Sequence, residues 1–307
     1  MATSLARDAS QAVETPASKP AITACQGDRA PLPSSLFYEL RAGAFPGSGR
    51  PDVAVHVPPG FDATQHPGLV LYFHGWNGCV AATLADDDLP CSEGGQPRPA
   101  SGLATQMDDA RVNALLVSVE LRADAQTGEP GQLALPDDAR ELLRELFAEH
   151  LAEPLGCTLE LDDLDRIVLV AHSGGYQAAA STLAYGGLPR VTEVVLLDAL
   201  YGADDVFSSW LIDPTPGQPR RLVDLYTCCG LPFEHSHALA RLIGSETHDG
   251  DDADDLAGTL THPVVFALVA SPHEDIPRNY FRQTIASAGF WPIRPTRAPP
   301  SSSSDVQ

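Results

Sequence analysis

Positive charge is scarce in this chain of 307 residues: Lys and Arg number 19 against 41 Asp and Glu, Lys19 is the single lysine, and the formal net charge is −22. A surface of that sign repels nucleic acid and acidic membranes, so a polyanionic partner is excluded. Long apolar runs are missing too. None approaches the ~20 residues that a membrane-spanning helix needs, so no stable membrane anchor is expected. The N-terminus has no charged start followed by an apolar stretch, and no secretion signal is read in the chain as written. Six cysteines, at positions 25, 79, 91, 157, 228 and 229, form no C-x-x-C and have no histidine at zinc spacing, which argues against a metal site. Cys79 and Cys91 flank an acidic loop with Pro and Gly, which a disulfide would close in an oxidising compartment. Neighbouring Cys228 and Cys229 read as small residues near a strand end. The acidic runs "ADDD" and "HDGDDADD" read as solvated loops, the second lacking the glycine and terminal glutamate at the spacing a calcium loop requires.

With 43% hydrophobic residues the chain buries a large core, and one domain with two tails is the expected organisation. Residues 1–33 form an Ala-, Ser- and Pro-rich leader expected to be disordered, of a kind found behind removed signal peptides. Export therefore stays open, and the compartment is not assigned. Residues 34–293 form the domain, and 294–307 a disordered tail. Within the domain eight strand-like runs recur: "SLFYELRAGAF", "DVAVHVPPG", "GLVLYFHG", "NALLVSVEL", "RIVLVAHSG", "TEVVLLDAL", "RRLVDLYT" and "PVVFALVAS". Helical segments separate the later ones. In "LPDDARELLRELFAEHLAE", Ala139, Leu142, Leu143, Leu146 and Phe147 form one apolar stripe. Alternation of this kind predicts an α/β fold: an eight-stranded, mostly parallel sheet with helices on both faces. The first two strands lack a helix between them and predict an antiparallel hairpin.

The stretch "RIVLVAHSGGYQAAA" runs a buried strand into a corner and then a helix, with Ser173 on the corner. Such a corner thrusts the serine off the sheet and needs small residues two before and two after, which Ala171 and Gly175 supply. A bare small-x-Ser-x-Gly match is also what a plain turn looks like, so the other strand ends decide. In a parallel sheet the ligand site lies beyond the carboxyl ends of the strands. The third run ends at "HGWNGC", the sixth at Asp198 and the eighth at "SPHEDIP", so a nucleophile, an acid and an imidazole fall at one edge in the order Ser, Asp, His.

Eight strands, an elbow after the fifth, His-Gly after the third and a histidine after the eighth resemble the α/β-hydrolase superfamily, over roughly residues 34–293. The resemblance implies Ser173 as nucleophile and His273 as its base. His172, beside the serine, reads as a local packing or bonding residue. For the acid, Asp198 after strand six resembles the placement in pancreatic-type lipases, whereas the superfamily more often carries it after strand seven. Glu234 and Asp224 are therefore the fallbacks. The oxyanion donors implied are the N–H groups of Gly174 and Trp76. Trp76 and Trp291 are candidate walls of an apolar pocket, and the insert from Cys79 to about Ser101 a candidate partial lid.

These residues together predict a serine hydrolase that cleaves small carboxylic esters through a covalent acyl-enzyme, without metal or cofactor. Two rivals stand beside it: an amidase or peptidase using the same triad, and a catalytically dead binding protein on the same scaffold. Oligomeric state is left open.

Overall fold

The computed structural model describes residues 35–122, 128–188, 190–213, 219–249 and 253–293, and the expected leader and tail lie outside them. Eight strands form the sheet: β1 (Leu36–Tyr38), β2 (Val53–His56), β3 (Gly68–Phe73), β4 (Ala114–Val119), β5 (Arg166–His172), β6 (Val191–Leu197), β7 (Arg221–Tyr226) and β8 (Val264–Leu268). They lie in the order β1-β2-β4-β3-β5-β6-β7-β8, with β1 and β2 antiparallel, β2 and β4 antiparallel, and every later pairing parallel. This is the expected fold class. With a strand-to-helix corner after β5, it is the α/β-hydrolase fold. The acidic stretch expected to be a solvated loop adds something: His248–Asp249 pairs in parallel with β8. The outer edge of β8 offers unpaired N–H and C=O groups, and a short passing segment satisfies them whatever its side chains.

The strand sequences are continuous apolar runs because both faces are covered. Along β3, Leu69, Leu71 and Phe73 join one core and Val70 and Tyr72 the other, and β5 divides in the same way. Helices α2 (Asp138–Glu145), α3 (Tyr176–Tyr185), α4 (Asp204–Ile212) and α5 (Leu231–Ile243) feed the first core, while α1 (Leu103–Ala110) and α6 (Ile276–Ser287) feed the second. Each fully buried Leu or Val there contributes roughly 1.5–3 kcal/mol. Central β5, between β3 and β6, is thereby held rigidly, which fixes where its carboxyl end points. Among the described residues no helix is long and apolar enough to cross a membrane.

The expected stripe Ala139, Leu142, Leu143, Leu146 and Phe147 is buried, but the helix widens into a π turn over Leu146–Leu151. Leu146, Phe147 and Leu151 are all buried. A π turn brings positions i and i+5 onto one face, so widening lets Leu151 reach the core. Three other expectations meet different outcomes. Cys79 and Cys91 are joined, with Cα atoms 5.8 Å apart. Cys228 and Cys229, expected to be merely small residues at a strand end, are bonded to each other. Trp291, expected near the site, stacks on His66 with centroids 4.6 Å apart, and its carbonyl accepts the Asn113 N–H. Those partners precede β3 and β4, so Trp291 lies at the amino ends of the strands, opposite the site.

Candidate active site

Ser173 follows β5 directly and opens a single 3₁₀ turn, Ser173–Gly175, that leads into α3. Its φ of +53° is the left-handed conformation that non-glycine residues avoid, held here by the packed strand and helix on either side. The required smallness is visible on both sides. Ala171 is fully buried, and a side chain on Gly175 would run into the Phe73 carbonyl. A Cβ on Gly75 would come within 2.6 Å of Ser173 Cβ, so the His74-Gly75 loop passes directly beside Ser173.

Ser173 Oγ lies 2.9 Å from His273 Nε2, and His273 Nδ1 lies 2.6 Å from Asp198 Oδ2. The structure thus brings together three residues from the ends of β5, β6 and β8, which are separated by 25 to 100 positions in the chain. His273 opens the turn before α6, and its ring is partly exposed. Asp198 is buried at the end of β6, with φ +48°. Thr227, at the end of β7, donates its N–H to Asp198 Oδ1 at 2.8 Å and its hydroxyl to Oδ2 at 2.9 Å. Burial pushes this carboxyl up, but the hydrogen bonds from His273 and Thr227 outweigh it and hold the acid below its ordinary value. With Asp198 ionised, Nδ1 carries the proton of a neutral His273 and Nε2 is left as an acceptor facing Ser173.

Two neighbours complete the surroundings. His172 is half-buried, and its Nε2 donates to the His273 carbonyl at 3.0 Å. Burial, and then the nearby His273, depress its pKa to about 3, so it stays a neutral donor. Tyr201 sets its ring edge-on to His273, with centroids 6.3 Å apart. Burial, and then the Asp198 charge, raise its pKa.

Next to Ser173, Gly174 is buried at the turn leading into α3, where the amide N–H groups are free of helical partners. Gly128, with φ +57°, lies so close that a side chain would strike the Gly174 carbonyl. The loop carrying Trp76 is braced from below. Buried His74 donates Nδ1–H to the Gly75 carbonyl at 2.8 Å and accepts the Leu121 N–H on Nε2 at 2.9 Å. Glu120 accepts the Val80 N–H at 2.9 Å and pairs with Arg50 at 3.0 Å. Trp76 itself is 47% exposed, which suits a residue at a site mouth. The insert after it is fastened to α6 through Arg278, which donates to the Ala100 carbonyl at 2.7 Å.

The fallback acids stand elsewhere. Asp224 is buried within β7 and accepts the Ser236 hydroxyl at 2.5 Å. Burial drives its pKa up to about 8. Glu234 is exposed in the first turn of α5 and forms no ion pair among the described residues. His235 pairs with Asp204 at 2.8 Å, and His237 meets the Tyr226 hydroxyl at 3.3 Å. Among the described residues one cluster, Glu145, Glu149 and His150, brings three potential metal ligands together. Glu145 already accepts the N–H groups of Arg41 and Ala42, and Glu149 pairs with Arg41 at 2.6 Å, so the cluster is a capped surface network.

Sequence reasoning missed Thr227, Tyr201 and the His172 bond. Thr227 was visible as the residue ending the seventh run, and Tyr201 as a neighbour of Asp198, but neither is found by pattern alone.

No family model matches the chain, and no curated protein matches it in sequence. Among solved structures it is similar to the feruloyl esterase module from Clostridium thermocellum, at 10% identity over 76% of this chain and 82% of that one, TM-score 0.48. It is also similar to a ferulic acid esterase from Anaeromyces mucronatus, at 14% identity over 87% and 95%, TM-score 0.43. A third is acetyl xylan esterase from Aspergillus awamori, at 11% identity over 70% and 81%, TM-score 0.39.

Proposed function

We propose that this protein is a serine hydrolase that cleaves small carboxylic esters through a covalent acyl-enzyme. One observation carries the reading: the unbroken hydrogen-bonded line from Ser173 Oγ through the His273 ring to the buried, ionised Asp198. A serine hydroxyl is a poor nucleophile at neutral pH unless an imidazole takes its proton as it attacks. In this reading Ser173 Oγ bonds to the ester carbonyl carbon while its proton passes to His273 Nε2. The carbonyl electron pair moves to oxygen, where the N–H groups of Gly174 and Trp76 receive it. Each such donor is worth about 3 kcal/mol in the barrier. Asp198 offsets the imidazolium charge and holds the ring in the productive tautomer.

Collapse of the intermediate breaks the carbon–oxygen bond to the alcohol, which leaves with the proton from Nε2. Water then repeats the sequence: its proton goes to Nε2, its oxygen to the acyl carbon, and Ser173 leaves and regains a proton. No step needs a metal or a redox partner.

Labelling with a fluorophosphonate, followed by a panel of chromogenic esters and amides, tests the reading. Rapid labelling of Ser173 with turnover of esters is expected, and Ser173→Ala and His273→Ala should each lower turnover by at least about 10³-fold with the circular dichroism spectrum kept. Turnover of amides in place of esters would make it an amidase. A chain that neither labels nor turns over any substrate would be a binding protein.

A further inference from the structure

We propose that His172 is a positioning residue, whose ring N–H fixes the main chain of His273 so that the His273 ring keeps spanning Ser173 and Asp198. The inference rests on the serine hydrolase reading above and adds a residue to it. Past Val269, whose N–H still bonds to the Tyr226 carbonyl of β7 at 2.9 Å, the chain leaves the sheet. It runs through exposed Ala270 and Pro272 before it is buried again at Ile276. His273 lies inside that span, so a base whose misplacement by about 1 Å can cost 100-fold in rate hangs on a short surface loop. His172 Nε2, at the end of β5, meets the His273 carbonyl at 3.0 Å and ties the loop to the central strand.

A carbonyl only accepts, so Nε2 of His172 carries the proton and its neutral ring leaves Nδ1 bare. In the turn that leads into α6, the residue four positions after His273 is Pro277, which has no N–H to return to that carbonyl. The carbonyl therefore keeps room for a donor from outside the helix. Consecutive residues at the end of β5 hold His273 at two points: His172 at the main-chain carbonyl, and Ser173 at ring Nε2, 2.9 Å away. Asp198 holds the third point, at Nδ1. With the carbonyl fixed, the two side-chain torsions of His273 are what stays free, and the two ring contacts set those. The rings of His172 and His273 are tilted, with centroids 4.8 Å apart. A charge on His172 at that distance would oppose the imidazolium that forms on His273. Burial first and His273 second keep His172 neutral against the opposing pull of Asp198, with His74 adding to them, and its pKa falls to about 3.

Two variants separate the bond from mere packing. His172→Phe keeps an aromatic ring and removes the donor, whereas His172→Gln loses the ring and returns an N–H near the place of Nε2. On a soluble ester, His172→Phe should lower kcat about 10-fold with KM unchanged, the size of one hydrogen bond lost from a carbonyl left unsatisfied. Fluorophosphonate labelling should slow in parallel, since attack by Ser173 needs the same base. His172→Gln should recover to within about threefold of the wild type in both measurements. His172→Phe within about twofold of the wild type, or His172→Gln slower than His172→Phe, would overturn the inference and leave the hydrolase reading intact. If the wild type itself neither labels nor hydrolyses, the underlying reading fails instead and takes the inference with it. Should either variant fail to fold, nitrogen NMR of the wild type with isotope-labelled histidine replaces it. His172 should then show the neutral Nε2–H tautomer down to about pH 5, and an Nδ1–H tautomer or a proton gained above that pH would overturn the inference.

Discussion

Asp198 and Asp224 are the same residue type on adjacent strands, both buried, and their carboxyls are pushed in opposite directions. Asp198 stands at the end of β6 with three donors on it: the N–H and hydroxyl of Thr227 and the His273 ring. Asp224 lies two positions inside β7 with the Ser236 hydroxyl on one oxygen, and its other oxygen is buried without a hydrogen-bond partner. Burial penalises both anions, and only the first has enough donors to overcome it. Depth alone therefore does not make an acid that can serve a histidine. The position at the strand end does, because there the neighbouring strand's last backbone N–H is free to turn inward.

The comparison breaks most visibly at Asp198. Asp198→Asn should lower kcat by about 10³- to 10⁴-fold, since an amide favours the wrong imidazole tautomer and cannot offset the imidazolium. KM should change little, because the carboxylate matters most once the ring is charged. Glu234→Gln, measured on the same ester, should be silent. The reverse pattern, with Glu234→Gln crippled and Asp198→Asn active, would move the acid to the loop after β7.

Thr227→Val sharpens the comparison by taking Asp198 part of the way toward Asp224. The backbone donor stays, and the hydroxyl donor to Oδ2 goes. The loss should be roughly 3- to 10-fold in kcat, the net size of one ordinary hydrogen bond, because the Thr227 N–H and the His273 ring still hold the carboxylate. The acid limb of kcat/KM should also move to higher pH. Removing a donor raises the Asp198 carboxyl, so the ionised acid that the mechanism needs is reached at higher pH. A pH profile superimposable on the wild type would show that Thr227 does not support the acid.

Much of this was legible in the chain. The eight apolar runs and the helices between them marked out the layers, because hydrophobic period is a property of local sequence. Ser173, His273 and Asp198 could be picked out because each ends a strand, and strand ends in a parallel sheet share an edge. What escaped depends on contacts across strands. Thr227 faces Asp198 only because β6 and β7 pair in a particular register, with Leu197 opposite Leu225. Tyr201 reaches the His273 ring only through the left-handed turn at Asp198, and nothing in "LLDALYG" announces a positive φ at an aspartate. Trp291 was misplaced for the same reason. Its distance from α6 in sequence is short, but the chain turns there toward Asn113 at the opposite edge.

The smallest effect on activity is expected at Asp224, and the largest effect there is on stability. Its folded pKa is raised from 3.8 to about 8. The folded state thus retains a proton that the unfolded chain releases, and the sign follows: the stabilisation is complete below pH 3.8 and is lost as pH rises through about 8. Asn at this position resembles the protonated acid in shape and has no proton to lose, so Asp224→Asn should flatten that decline. Near its acid end the variant should match the wild type. At about pH 9 it should melt several degrees higher, at roughly 2–4 °C for each kcal/mol in a domain of this size. Activity should stay within about twofold, because a neutral carboxyl and an amide place the same small field on Asp198. Thermal melts of both proteins across this range, with kcat at neutral pH, decide it. If the wild type's melting temperature shows no such fall relative to the variant, Asp224 is ionised in the fold, and burial is not what separates it from Asp198.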